Sequence, residues 1–428
     1  MSFEAPRGTH DVLPREWPAW ERVLEEAESL CRACGYRRIV TPTFEETELF
    51  ARSSGEGSDI VAKEMYSFAD RGGRSLTLRP EGTAQVCRAY VEHGLQREPQ
   101  PVKTWMVAPM FRYAKPQKGR YREFWQLNVE AIGTDDPAID AELITLQAAW
   151  LEGLGIGTTL LLNSIGDRVC RPAYIDRLEK WLDEHEGELD AEARHKRETS
   201  PLRVFDTKNP HLASLLQDAP AITDALCDGC RAHFEAVCRY LDACGVAYEL
   251  APRLVRGLDY YTRTAFEFVA PGLGAQDTVS AGGRYDYLIE TIGGPPTPAV
   301  GFASGIERIV LSADETSDVA ESGIDVFFLI RDKADRAAAF REMVKMRPEF
   351  SCDMDYAGRS EKGQFTQAQR LGATWLVDVW EGDEALISYR HGLEAHMRGK
   401  DSRNTKLPIP IAEVASYIRK WEETNEVA

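Results

Sequence analysis

The alternation of apolar and polar positions divides the chain before any motif is considered. Residues 16–35, EWPAWERVLEEAESLCRACG, place Trp20, Val23, Leu24, Ala27 and Leu30 on one side at helical spacing. Gly35 stands where a C-cap belongs, so this segment is expected to be a helix. Residues 82–95 and 138–153 read as further helices. Residues 103–113 and 123–133 read as two strands joined by the basic loop KPQKGRYR. A helix-rich, strongly charged stretch over 168–247 follows, and then β-rich sequence over 248–311. Pro295, Pro296 and Pro298 break the chain before GFASGIERIVL, which reads as strand, small-residue turn and helix.

A second start lies near residue 324. IDVFFLI has the pattern of a buried strand, followed by a helix at 333–347, a strand near 350–355, a helix at 361–371 and a strand at 374–380. That alternation predicts a small α/β domain over 324–428, behind a first domain over 1–323. No fixed-period repeat or low-complexity tract interrupts either part.

Charge sharpens this division. The 428 residues carry 51 Lys and Arg against 69 Asp and Glu, a net charge of −18. Residues 325–428 hold 16 basic and 18 acidic side chains, so they contribute only −2 and the acidity belongs to the first part. Such a balance disfavours broad coating of nucleic acid, although local basic patches can still hold one. With 43% hydrophobic and 28% charged residues, the composition is that of a globular protein rather than a disordered or collagen-like chain. The opening MSFEAPRGTHDV has no apolar h-region, and runs such as Val326 to Ile330 are too short to span a bilayer. Nine cysteines spread over this length read as reduced thiols, so a cytoplasmic protein without membrane partners is expected.

The second strand of the 103–133 hairpin carries the most informative pattern. Phe124, Gln126, Asn128 and Glu130 alternate with Trp125, Leu127, Val129 and Ala131, so period two puts each set on its own sheet face. An aromatic, two amides and a carboxylate make a poor core and a good floor for a polar ligand. Arg112 could add a cation, and Lys115, Lys118, Arg120 and Arg122 in the connecting loop suit phosphate. The bland alternative is a solvated sheet face with a charged loop.

Other segments are open to two readings. In LTLRPEGTAQV, Glu81 and Thr83 precede an apolar helix, where they serve either a ligand or simple capping. LVRGLDYYTRTAFEF sets Arg256 before two tyrosines that could be packing residues. SAGGRYDYL offers a Gly-Gly turn through which backbone could approach a ligand. GFASGIERI puts Arg308 near the start of a helix, whose dipole favours anions. Cys227 and Cys230 with His233 resemble part of a zinc site, but no second ligand pair follows, so no metal site is expected. Cys31 and Cys34 lie on the first helix, where small buried thiols are common, and His10 has no visible catalytic partner.

Together these segments resemble the histidyl-tRNA synthetases, a family of class II aminoacyl-tRNA synthetases, along nearly the whole chain. RGTHDVLP and TPTFEETELF are similar to that family's opening and first class-defining motif. MFRYAKPQKGRYREFWQLNVEAIG is similar to the second motif and GFASGIERI to the third. LVRGLDYYTRTAFEF and AGGRYDYL match blocks peculiar to the histidine enzymes, and DYAGRSEKGQFTQAQRLGA resembles their anticodon-binding domain.

The resemblance implies an α+β fold: a catalytic domain on an antiparallel sheet flanked by helices, a helical insertion at about 168–247, and a C-terminal α/β anticodon-binding domain. It also implies ATP-dependent attachment of L-histidine to its tRNA by a homodimer that uses Mg²⁺. Glu81, Gly82 and Thr83 would then hold the α-amino end of histidine, with Gln126, Glu130, Tyr260, Tyr261 and Tyr285 around the substrate. Arg112 would grip the α-phosphate of ATP, Phe124 would stack on adenine, and Arg120 and Arg308 would bind the outer phosphates or the adenine face. Arg256 would stabilise charge on the α-phosphate. The alternative is the synthetase-like regulatory subunit of ATP phosphoribosyltransferase, which usually lacks the C-terminal domain and erodes the RGLDYY block.

Overall fold

The computed structural model describes residues 3–55, 60–207, 209–271, 277–313, 323–332, 334–380, 384–389 and 408–425. The chain divides into two compact units, Met1–Ser317 and Asp318–Ala428.

The first unit contains strands β1 (Arg37–Arg38), β2 (Phe44–Glu46), β3 (Tyr66–Ala69), β4 (Ser75–Leu78), β5 (Val102–Phe111), β6 (Glu123–Ile132), β7 (Thr159–Ser164), β8 (Glu249–Leu250), β9 (Thr262–Val269), β10 (Thr278–Arg284) and β11 (Ala299–Gly305). Eight of them form one sheet in the order β1-β5-β6-β11-β10-β9-β7-β8, while β2, β4 and β3 form a small sheet beside it. The six central strands are antiparallel, and the short edge strands β1 and β8 pair in parallel.

The hairpin β5–β6 spans the predicted strands within two residues at each end. Its two faces divide as the alternation predicts. Leu127, Val129 and Ala131 enter a core with Phe266, Phe268 and Phe302, covered by the helices Trp17–Ala33, Pro137–Gly153 and Asp228–Ala243. The first of these helices buries Trp20, Val23, Ala27 and Cys31 at the spacing that named it. On the other face Gln126, Asn128 and Glu130 are buried as well, Asn128 and Glu130 to within 1% exposure, so the solvated-face alternative is excluded.

Cross-strand register explains why that polar face has room above it. Glu130 stands between Thr104 on β5 and Gly301 on β11, and the row continues through Gly283 on β10 and Ala265 on β9. The next row runs Asn128, Ala303, Ala281 and Glu267. Directly paired residues share a sheet face, so small residues floor a trough from β11 to β9. The Gly-Gly pair was expected to make a turn, and here the structure differs. Gly282 and Gly283 lie inside β10, where a Cβ on Gly282 would strike Gly301 and one on Gly283 the Thr264 carbonyl and the Tyr261 ring.

The charged stretch after β7 forms the helices Arg171–Glu184, Ala191–Thr199 and Pro210–Leu215, whose apolar residues share a cluster with Tyr260, Tyr261 and Tyr285. The last helix of the stretch, Asp228–Ala243, instead puts Val237 and Leu241 into the main core under the sheet.

In the second unit, β12 (Val326–Ile330), β13 (Cys352–Met354), β14 (Trp375–Val379), β15 (Glu384–Tyr389) and β16 (Ile409–Pro410) form a sheet in the order β13-β12-β14-β15-β16. Parallel pairing of β12 with β13 and β14, with the helices Arg336–Met346 and Glu361–Arg370 between them, is the expected α/β alternation. The segment from 390 to 407, which includes HGLEAHMRG, lies outside the described residues.

Candidate active site

Two compartments meet on the polar face of the main sheet. The outer one is a cleft of about 810 Å³ whose lining includes Arg112, Arg120, Phe124, Gln126, Arg256 and Arg308. The inner one is a buried cluster of Glu81, Thr83, Glu130, Tyr260, Tyr261 and Tyr285.

Glu130 organises the inner compartment. Its carboxylate accepts hydrogen bonds from Thr83 Oγ1 at 2.7 Å and from the Tyr285 hydroxyl. Burial pushes its carboxyl up to about 8, with Glu81 adding to the shift, despite the two hydroxyl donors that favour the ionised form. Burial thus favours the protonated form of Glu130 in the folded chain. Gly301 makes this placement possible, because a Cβ there would overlap the Glu130 carboxylate.

Glu81 is also buried. Its two oxygens accept from the backbone amides of Thr83 at 2.7 Å and Ala84 at 2.9 Å, at the start of the helix Thr83–Glu92. It thus caps the helix, and burial still raises its carboxyl above the ordinary value. Gly82 between them is pressed against Met106 and Asn128, leaving no room for a side chain. Tyr260 packs 4.7 Å from Tyr261 and 5.6 Å from Tyr285, ring centre to ring centre.

The cations of the outer compartment are held by the protein in different ways. Arg112 Nε donates to the Pro80 carbonyl at 2.7 Å, and its guanidinium lies 5.2 Å from the centre of the Phe124 ring. It comes just after β5 rather than within the strand. Arg120 pairs with Glu64 at 3.1 Å, and Arg308 donates to the Thr278 carbonyl at 2.7 Å. Arg256 pairs with Glu267 and lies 5.7 Å from the Tyr261 ring centre. Among the loop cations, Lys115 and Lys118 are exposed, whereas Arg122 stacks on Tyr113 at 3.9 Å and is committed to the loop.

Gln126 Oε1, Asn128 Oδ1 and Arg256 Nε are buried without a hydrogen-bond partner. Buried polar atoms are normally paired, so orphaned atoms at one site point to a ligand that would pair them.

A family model described as histidyl-tRNA synthetase matches residues 8–309. The chain belongs to the histidyl-tRNA synthetase family. Similar curated proteins named histidine–tRNA ligase include one from Rubrobacter xylanophilus, 47% identical over 90% of this chain and 93% of that protein. One from Moorella thermoacetica is 44% identical over 99% of this chain and all of its own length. The structure resembles that of apo S. aureus histidyl-tRNA synthetase with a TM-score of 0.78 at 34% identity, covering 97% of this chain and 99% of that one. A Bacillus halodurans structure described as an ATP phosphoribosyltransferase regulatory subunit/histidyl-tRNA synthetase shares 21% identity at a TM-score of 0.63. It covers 89% of this chain and 99% of its own, and at that identity the likeness concerns the fold alone.

Within this family fold, three carboxylates at the site escaped the sequence reading. Glu267 receives both Arg256 and the Thr278 hydroxyl, the latter at 2.9 Å. Its signal was a lone carboxylate in the apolar run TAFEFV. Glu307, beside Arg308, accepts from the Trp125 amide at 2.8 Å, and burial pushes its carboxyl up to about 7. Asp140 lies under the site, where Arg284 binds both its oxygens at 2.5 and 3.2 Å and His233 approaches at 3.3 Å. Its burial alone would raise the carboxyl, but the Arg284 guanidinium and the hydrogen bond with His233 lower it to about 2. No local pattern links these three residues, which lie on separate elements.

Proposed function

We propose that this chain attaches L-histidine to its tRNA at the expense of ATP, through a histidyl-adenylate intermediate. The observation that carries this reading is the buried Glu130 and its two hydroxyl donors, set behind a cleft lined by four arginines. A dry carboxylate with hydroxyl neighbours suits a cationic or imidazole-bearing substrate, and an arginine-lined trough suits a polyphosphate.

In the first step a carboxylate oxygen of histidine attacks the α-phosphorus of ATP, and pyrophosphate leaves. Two anions must approach, so positioned arginines offset their repulsion. Arg112 and Arg256 take that role at the α-phosphate, Arg256 transferring its charge from Glu267 to the developing negative oxygen. Arg120 and Arg308 hold the outer phosphates or the adenine face, and Phe124 stacks on adenine. Glu81 receives the α-ammonium with Gly82 and Thr83, while Gln126, Glu130, Tyr260, Tyr261 and Tyr285 enclose the side chain. Holding both substrates in one trough lowers the entropic part of the barrier. In the second step a terminal ribose hydroxyl of the tRNA attacks the carbonyl carbon and AMP leaves. Neither step requires a protein nucleophile.

Glu267, Asp277 and Glu307 line the same cleft and offer the oxygen ligands Mg²⁺ prefers, so they would hold the ion that neutralises phosphate charge. A homodimer is supported by exposed apolar residues on and beside the first-motif segment, Val40, Phe44 and Phe68. We assign catalysis to residues 1–323 and anticodon binding to 324–428. No helix among the described residues is long and apolar enough to cross a membrane, which is compatible with a cytoplasmic enzyme.

The test is ATP–pyrophosphate exchange with a panel of amino acids, followed by charging of bulk tRNA. Exchange with histidine alone and charging of one tRNA species are expected. Exchange driven by another amino acid would overturn the assignment, and a regulatory subunit would charge nothing.

A further inference from the structure

Cys227-Asp-Gly-Cys230 lacked a second ligand pair in the sequence, and the fold supplies one. Asp167-Arg-Val-Cys170, with the same spacing, lies in the loop between β7 and the helix Arg171–Glu184. One ligand atom from each of Asp167, Cys170, Cys227 and Cys230 lies within 4.8 Å of all the others. Asp167 Oδ1 is 3.5 Å from Cys170 Sγ and 4.0 Å from Cys227 Sγ, although Asp167 and Cys227 stand 60 residues apart. A tetrahedral centre with bonds of about 2.0–2.3 Å asks for ligand separations of about 3.5–3.8 Å. Two of the four ligands therefore already sit near that spacing from the third.

We propose that Asp167, Cys170, Cys227 and Cys230 form a structural zinc site at the neck of the helical insertion.

The donor chemistry favours zinc over magnesium or calcium, because three thiolates and one carboxylate are soft on balance and four in number. All four cysteine and carboxylate positions are supplied by the protein, which leaves no open coordination position and makes the site structural rather than catalytic. The carboxylate is held in place by the loop itself: Asp167 Oδ1 accepts from the backbone amides of Val169 at 2.9 Å and Cys170 at 3.3 Å, which fixes it beside the thiols packed around Leu226. His233, the third ligand suggested by the sequence, is turned away and held by Asp140. The cysteines form no disulfide, and Cys227 is the least buried, leaving a side for an ion to enter. Arg263, 3.9 Å from Asp167, and Arg171, at the helix start, help offset the net negative charge of a zinc bound to four anions.

The location gives the ion its task. The chain leaves the main sheet after Ser164, enters the insertion at Cys170, the N-cap of its first helix, and comes back at Cys227, the N-cap of the helix Asp228–Ala243 that packs under that sheet. Bound zinc ties these two points together and closes the intervening loop, restricting the unfolded chain. The same neck is strapped to the inner compartment. Arg171 donates to the Tyr261 carbonyl at 2.7 Å, and Arg263 exchanges backbone hydrogen bonds of 2.7 Å with Ile165 and Gly166. On the proposed function, removal of the ion therefore raises the KM for histidine several-fold while changing that for ATP little. Metal content is independent of that reading, so failure of one can be told from failure of the other.

Full-length protein purified without chelators from zinc-supplemented cells should carry about one zinc per chain by elemental analysis. The double variant Cys227→Ser, Cys230→Ser should carry almost none, whereas Cys244→Ser, at an exposed thiol elsewhere, should keep it. Loss of two buried thiols also disturbs packing, so a second measurement uses the unmutated chain. After chelation, added Co²⁺ should give intense thiolate charge-transfer absorption that saturates near about one equivalent and is displaced by zinc. Asp167→Cys, which completes four thiolates, should retain the metal. A folded wild-type chain that carries no zinc and gives only the weak spectrum of octahedral cobalt overturns the proposal. So does a metal-free Cys227–Cys230 disulfide detected by mass, or unchanged metal content in the double variant.

Discussion

Replacing Glu130 by glutamine should make the ligand-free protein more stable and the enzyme worse. Burial moves the carboxyl from its ordinary value of 4.5 to about 8. At 1.36 kcal/mol per unit, ionising Glu130 in the folded chain carries a cost on the order of 5 kcal/mol. The folded chain keeps a proton that the unfolded chain has already lost between pH 4.5 and about 8. Stability contributed by this group is thus complete below 4.5 and lost as pH rises to about 8. Glutamine keeps the shape, still accepts from one hydroxyl and donates to the other, and cannot ionise. The variant should match wild type near pH 4.5 and gain progressively above it, by up to roughly 4 kcal/mol near pH 8. Unfolding of the ligand-free proteins by denaturant at several pH values measures the gap, and histidine KM at saturating ATP measures the functional loss. A gap that does not change with pH, or a variant less stable than wild type at high pH, would show that Glu130 is ionised in the folded chain. An unchanged KM would remove it from the histidine pocket.

Arg256→Ala should cut single-turnover adenylate formation by roughly 10²–10³ while leaving histidine binding nearly intact, because a donor aimed at developing charge acts in the transition state. A near-normal rate would make Arg256 structural. Gly301→Ala should raise histidine KM, since the added Cβ would overlap the Glu130 carboxylate and displace it; wild-type kinetics with a folded protein would refute this reading of the trough. Ending the chain after about residue 322 should spare histidyl-adenylate formation and greatly weaken tRNA charging. Full charging by the shortened protein would mean that the second unit does not read the anticodon.

How much was legible in advance depended on whether a feature was local. Period two in residues 124–131 separated a polar face from an apolar one, and from Gln126 onward the structure buries both, while Trp125 stays exposed. Helical spacing in residues 16–35 located Trp20, Val23 and Ala27 in the core. Glu81 was left between capping and ligand binding, and its oxygens accept from the Thr83 and Ala84 amides as a cap does. Long-range pairings were not visible. Arg284 with Asp140, Arg256 with Glu267, and the Asp167–Cys170 knuckle beside Cys227–Cys230 all join residues from different elements. Gly282 and Gly283 were misread as a turn because glycine announces both bends and close packing, and only register distinguishes them.

The contrast between the two compartments bears on specificity under the proposed function. A buried pocket whose carboxylate and hydroxyls are built to pair with one side chain rejects an analogue lacking that hydrogen-bonding pattern, because the pocket's own groups are left unpaired. The cost of holding Glu130 in a dry site is therefore recovered only when the matching amino acid enters. The outer cleft faces a different demand. A polyphosphate needs charge more than shape, pyrophosphate must leave, and the tRNA terminus must reach the adenylate. An open trough whose arginines are held by Glu64, Glu267 and backbone carbonyls keeps those cations positioned before ATP arrives, with less reorganisation left for the reaction itself.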